Sequence, residues 1–402
     1  MINVMKVPML DLCAQYATIK SEIDAAVAQV LSAQQFRGGP LLETFEAALA
    51  SFAGVRHALG VSSGTDALFL ALKALPLTPG DEIITSPFTF FATASAIVHA
   101  GCIPAFADIE PDTLNLDAAA AEARITPRTR AILPVHIFGQ CARMDALIEV
   151  AKRHSLLLIE DAAQALGATY QGRSVGAWSD AATLSFYPTK NLGAAGEGGA
   201  ILTNNDEIAE RIRLLRSHGS DAPYHHSVLG FQSHLHTLQA AILHVKLRHL
   251  PEWNEARRER AHYYDLRLGQ VPGIKLPVES EGAYHVYHQY VIRVPQRDTL
   301  RRKLGERGIG CGVFYPAPLY KQPCLSAFVR AEHRCVTAEQ ACEEVLALPM
   351  YPELTPDQQD AVVDVLEEHV SLLPHLQNDE EARCACPPLK EKPSAPGHPR
   401  GV

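Results

Sequence analysis

The sequence predicts an α/β fold, with a large domain on a mostly parallel central sheet followed by a smaller α+β domain. Two observations predict the first part. From Val55 to Thr203, short apolar runs lack the polar alternation of a half-exposed sheet, and helical stretches separate them, which is the pattern of strands covered on both faces. A third observation marks the second part: a long, charged helical stretch at Leu238–Leu268 leads into a new mixture of strands and helices. The expected division is residues 1–250 for an N-terminal segment and large domain, 251–376 for a linker helix and small C-terminal domain, and 377–402 for a tail.

In order, the expected strands of the first part are His57–Val61, Glu82–Thr85, Ile103–Ala107, Ala131–Val135, Leu156–Ile159, Thr183–Phe186 and Gly199–Thr203. Between them Ala67–Leu75, Ala92–Ala100 and Met144–His154 read as helices, the last strongly amphipathic. Glu207–Arg216 is a further helix, and Leu238–Leu268 is expected to break near Pro251, because proline lacks the N–H that an interior helical turn needs. Beyond it come a strand at His285–Val294, a helix at Thr299–Arg307, a strand at Gly310–Phe314, and helices at Ala338–Leu346 and Pro356–His369. From Asn378 the chain turns to Pro, Gly, Lys and Glu, a composition that reads as disordered.

Bulk properties exclude several classes. The 402 residues are 47% hydrophobic and 20% charged, with a net charge of −9 that offers no field for a nucleic-acid backbone. No run approaches the ~20 apolar residues of a membrane span, and the start has no secretory pattern. The nine cysteines are scattered, an odd number with no disulfide framework, which suits a reduced, cytoplasmic protein. Cys384 and Cys386 have no matching ligands nearby, so no metal site is expected.

Three chemistry-bearing segments fall at strand ends, where open parallel sheets collect ligands. The first strand runs into Ser62-Ser63-Gly64-Thr65-Asp66-Ala67 and a helix. Small hydroxyl residues and Gly at a helix start suit an anion, although Ser63 or Thr65 could equally be a plain cap. No dinucleotide or P-loop glycine pattern occurs. Asp161 follows a fully apolar strand, where a buried carboxylate needs a partner; a protonated pyridine nitrogen would serve, and capping of a following helix is the alternative. Lys190 sits in Ser185-Phe186-Tyr187-Pro188-Thr189-Lys190, just past a strand, where partial burial would favour its nucleophilic free base. A phosphate cup, an acid for a pyridinium and a lysine describe one ligand.

With these residues in hand, the chain closely resembles the DegT/DnrJ/EryC1/StrS sugar aminotransferases, which are fold-type I pyridoxal-phosphate enzymes. The resemblance runs from about Pro8 to His369. It rests on S-S-G-T-D-A-L at 62–68, P-F-T-F-F-A-T at 87–93, I-E-D-A-A-Q at 159–164, S-F-Y-P-T-K-N-L-G at 185–193 and G-E-G-G-A at 196–200. It implies pyridoxal 5'-phosphate carried on Lys190 as a Schiff base, with Asp161 on the pyridinium, Gln164 near the phenolic oxygen and Phe90 stacked on the ring. Gly64, Thr65 and Ser185 would hold the phosphate. Phe90 could otherwise be an ordinary core aromatic. The family's dimers reach into the neighbouring site with the segment matching 230–241, where this chain has Gln232, His234 and His236 in place of the usual N-x-R-x-D pattern. Gln232 would still donate to phosphate. Tyr187, His234, His288 and Tyr315 are the implied substrate contacts, and His288 could also be a core residue.

The implied reaction moves an amino group from glutamate to a nucleotide-linked keto-sugar. Relatives acting on uronic sugars place Arg at the position of His234 and His at that of Phe314, so a neutral 3- or 4-keto-6-deoxyhexose is favoured over a UDP-linked 3-keto uronate. A non-catalytic regulatory member is the reading from another class. A dehydratase, whose branch carries His in place of the lysine, is disfavoured by Lys190.

Overall fold

The computed structural model describes residues 6–329 and 334–372. The tail expected at 377–402, with Cys384 and Cys386, lies outside the described residues. Seven strands form the main sheet: β1 (His57–Val61), β2 (Glu82–Thr85), β3 (Ile103–Phe106), β4 (Thr129–Leu133), β5 (Leu157–Asp161), β6 (Ala181–Ser185) and β7 (Gly199–Thr203). Their spatial order is β1-β7-β6-β5-β4-β2-β3. Only β7 runs against its neighbours, pairing antiparallel with both β1 and β6. The other four pairings are parallel.

Every residue of β2 and β7 is buried, and β1, β5 and β6 are buried but for one end residue each. That is why these strands read as apolar runs rather than alternating ones. Two apolar cores flank the sheet. One gathers Leu68, Leu72 and Ile97 from the helices Gly64–Ala74 and Phe91–His99. The other gathers Phe45, Leu147 and Leu243 from the helices Pro40–Ala53, Met144–Arg153 and Thr237–Leu268.

A smaller sheet pairs Tyr290–Arg293 antiparallel with Val345–Leu348. Its own core joins Leu300, Leu304, Val362 and Leu366 to Tyr264 and Leu268, with Val7 from the start of the chain buried among them. No helix among the described residues is long and apolar enough to cross a membrane.

Three expectations fail. Thr237–Leu268 is one helix through Pro251, because Leu250, Trp253, Asn254 and Arg257 around the proline are all buried, and that burial outweighs one lost hydrogen bond. Gly310–Phe314 is no strand; only a single bridge ties Gly312 to Ala347. The expected helix at Ala338–Leu346 stops at Glu344, and Val345–Leu348 turns into a fully buried strand, since a short apolar run fits either element until its partner is known.

Candidate active site

At the carboxyl ends of β1, β5 and β6 the sheet topology brings distant segments together. Gly199 opens β7 and pairs with Val61 on one side and Ser185 on the other. It is the register point between the strand leading to Gly64 and the strand ending in Ser185. A Cβ on Gly199 would lie 2.4 Å from the Ser63 carbonyl oxygen, so no larger residue fits there. Gly64 then opens a helix directly against Ser185, and a Cβ on it would come within 2.6 Å of the Ser185 Cβ. Ser63 caps this helix, its side chain accepting from the Asp66 N–H. The cap reading of Ser63 therefore holds. It leaves the Gly64 and Thr65 amides at the positive end of the helix dipole, beside the Ser185 hydroxyl, so the cap does not conflict with anion binding there.

Asp161 ends β5. Its carboxylate accepts from Thr93 Oγ1 at 2.8 Å and from the Ala163 N–H at 3.2 Å. No helix follows, so helix capping is not its role. Burial pushes its pKa up, and the Thr93 hydrogen bond, the Ala163 amide and the nearby Lys190 oppose that. Lys190 occupies a turn closed by its own N–H donating to the Tyr187 carbonyl at 2.8 Å. Burial lowers its pKa from 10.5 to about 8, with Asp161 pulling the other way.

Gln164 has a fixed orientation. Its Oε1 accepts from the Phe138 N–H at 2.7 Å, so its Nε2 donates, here to the Tyr315 hydroxyl at 3.1 Å. Phe138 adopts φ 58°, a left-handed conformation costly for an aromatic residue. His288 is buried and lies 3.1 Å from Asn191 Oδ1 through Nδ1.

Gly64, Thr65, Phe90, Asp161, Gln164, Ser185, Tyr187, Lys190, His288 and Tyr315 all line a single cavity of about 500 Å³. Phe90 is 59% exposed at its mouth and is no core aromatic. Gln232 and His234 do not line it. Gln232 Oε1 accepts from His218 Nε2 at 2.8 Å, and His234 meets the Ser217 hydroxyl at 3.0 Å. Burial, reinforced by Arg216 and Arg37, lowers the His234 pKa to about 4, so it is neutral at pH 7.

Sequence reasoning missed Thr93 and Asn191, although both stand inside the quoted segments 87–93 and 185–193; their contacts cross 68 and 97 residues of chain. It also missed His136 and Glu160, a fully buried pair 2.8 Å apart directly behind Asp161. An acid beside Asp161 was a signal available in the sequence.

An α/β frame with helix-start amides, a buried carboxylate and a recessed lysine on one cavity defines the class of the α/β aminotransferases. The chain belongs to the DegT/DnrJ/EryC1/StrS aminotransferase family, whose profile it matches over residues 17–367. It is 48% identical to the pleiotropic regulatory protein of Geobacillus stearothermophilus, covering 90% of this chain and 98% of that one. It is 44% identical to the dTDP-3-amino-3,4,6-trideoxy-alpha-D-glucose transaminase of Streptomyces venezuelae, covering 90% and 96%. Among solved structures, S. venezuelae DesV in complex with a ketimine intermediate superposes with a TM-score of 0.89 at 43% identity, over 92% and 99% of the two chains. NtdA of Bacillus subtilis, with bound cofactor PMP, does so with 0.85 at 35%, over 91% and 85%.

Proposed function

We propose that this protein transfers an amino group from glutamate to the ketone of a nucleotide-linked sugar, with pyridoxal 5'-phosphate in the cavity bonded to Lys190. One observation carries this reading: helix-start amides, a buried carboxylate and a recessed amine converge on one space. The residues present fit that group. The Gly64 and Thr65 amides with the Ser185 and Thr65 hydroxyls form a cradle for a phosphate, closed tightly enough that a Cβ on Gly64 would fill it. Asp161, buried and pushed toward protonation, forms no ion pair among the described residues, and a pyridinium would supply one. Phe90 at the mouth offers a flat face to the ring. The free Nε2 hydrogen of Gln164 suits a phenolic oxygen.

When bound, the cofactor supplies an electron sink beside the carbon that gains or loses a proton. Lys190 Nζ moves that proton. With a pKa of about 8, about a tenth of the amine is free base at pH 7, against less than about a thousandth at the ordinary 10.5. Asp161 would keep the ring nitrogen of the bound cofactor protonated, and the Thr93 hydrogen bond favours the charged form of that carboxylate. Tyr187, His288 and Tyr315 contact the sugar. Gln232 and His234, away from this cavity, serve the site of a second copy in a homodimer with composite sites. The division of the chain near residue 250 belongs to the same reading, supported by the separate core around the smaller sheet.

The sugar is a neutral 3- or 4-keto-6-deoxyhexose. Phe314 on the cavity wall donates nothing, no arginine lines the cavity, and Lys190 is its one cation among the described residues. A 3-keto uronate carboxylate would find no guanidinium fork there. The name of the Geobacillus relative raises a regulatory reading, but a purely regulatory chain has no need of the complete set retained here. Incubation with glutamate and each of the two keto-sugar types, reading 2-oxoglutarate release, tests both points. Higher kcat/KM on the uronate would overturn the sugar assignment, and no release with any nucleotide keto-sugar would overturn the activity.

A further inference from the structure

His288 is joined to two asparagines whose polarity is set by backbone carbonyls. Asn191 Nδ2 donates to the Val286 carbonyl at 3.1 Å and to Asn254 Oδ1 at 2.8 Å. Asn254 Nδ2 in turn donates to the Leu166 carbonyl at 3.2 Å. A carbonyl oxygen can only accept, so both amides have one possible orientation, and the atom facing His288 is Asn191 Oδ1. An acceptor facing the ring, 3.1 Å from Nδ1, requires that Nδ1 carry the hydrogen. The other nitrogen, Nε2, has no hydrogen-bond partner among the described residues, and the ring lines the cavity.

We infer that His288 is a fixed hydrogen-bond acceptor reading a hydroxyl of the sugar through Nε2, and that Asn191 and Asn254 are positioning residues that lock it in that role. The inference rests on the proposed use of the cavity as a sugar site. It adds the sign of the contact, because a lone pair at Nε2 attracts a hydroxyl and repels a carboxylate or phosphate oxygen. Burial keeps the ring uncharged, and its charged or titratable neighbours work in the same direction: Lys190 from the loop after β6, Arg257 from the long helix and His285 from its own segment. All four hydrogen bonds of this network are buried, so water does not compete for them.

Histidine-selective ¹⁵N NMR of the intact protein reads the tautomer directly. The expected spectrum has a proton on His288 Nδ1, a bare Nε2 and no titration through neutral pH, and Asn191→Leu releases the ring to a mixture of tautomers. A proton on Nε2, or an imidazolium at pH 7, would overturn the assignment. The kinetic arm uses His288→Leu, which has no acceptor, with glutamate and with a set of nucleotide keto-sugars each lacking one ring hydroxyl. Loss of one neutral hydrogen bond predicts about a tenfold rise in KM for the full sugar. One deoxy analogue should show no such rise, and the sugar half-reaction should lose more than the glutamate half-reaction does. An equal loss in both half-reactions, or the same penalty with every analogue, would reduce His288 to a structural role. If the wild type aminates no keto-sugar, the functional reading fails, while the NMR result still decides the tautomer and its lock.

Discussion

Thr93 Oγ1 donates to Asp161 Oδ2 at 2.8 Å across 68 residues of chain, and this bond is one of the few forces favouring the charged form of a carboxylate that burial disfavours. Thr93→Val keeps the shape and removes the donor. The Asp161 pKa should then rise further, moving the acid limb of the kcat/KM profile to higher pH, while Thr93→Ser restores it. An acid limb that stays in place in Thr93→Val would show that Asp161 ionisation does not govern the rate.

Lys190 gives a stability prediction of definite sign. Its folded pKa lies below the ordinary value, so burial costs nothing where the amine is neutral in both states, above 10.5, and costs fully below about 8. Lys190→Met should therefore stabilise the cofactor-free protein at pH 7, by on the order of 2 kcal/mol after allowing for the open cavity, and the gain should vanish as pH rises through that window. Denaturation at several pH values measures it. The same variant should lose transamination, and borohydride reduction of the wild type with pyridoxal phosphate should modify the peptide carrying Lys190.

Gly64→Ala puts a methyl group 2.6 Å from the Ser185 Cβ, in the phosphate cradle. Overpacking of this kind costs about 1–3 kcal/mol, which here falls mainly on ligand binding, so pyridoxal-phosphate affinity should drop by at least about tenfold. Spectroscopic titration checks this, with inorganic phosphate as a competitor. Unchanged affinity would place the phosphate elsewhere.

Behind the site, Glu160 accepts from His136 Nε2 at 2.8 Å, from Ser179 Oγ at 2.6 Å and from the Gly176 N–H. His136 also accepts from the Ala142 N–H through Nδ1, so its Nε2 hydrogen has nowhere else to go. Glu160→Ala leaves the His136 and Gly176 donors buried and unpaired, with an expected loss of about 3–5 kcal/mol. A shift below about 1 kcal/mol in guanidinium denaturation would mean that water fills the gap.

Composite sites predict complementation. Lys190→Ala and a Gln232→Ala variant, each impaired alone, should regain part of the activity when mixed under conditions that exchange subunits. A fully active monomer would rule this out.

Much of this site is legible in the linear chain because each segment carries a local requirement. Gly64 and Ser63 announce a helix start, an apolar run announces β5 and so places Asp161 at its end, and a proline-bounded turn isolates Lys190. These demands arise within a few residues, where backbone geometry and burial act directly. Tertiary structure alone decided which partners meet. Thr93 reaches Asp161, Asn191 and Asn254 orient His288, and Gly199 draws Ser185 against Gly64 only after the antiparallel β7 inserts between β1 and β6. The unbroken helix through Pro251 and the strand at Val345–Leu348 were decided the same way, by burial against elements distant in sequence. Local patterning sets what a segment tends to form; the free energy of packing it against the rest of the chain sets what it becomes and what its side chains touch.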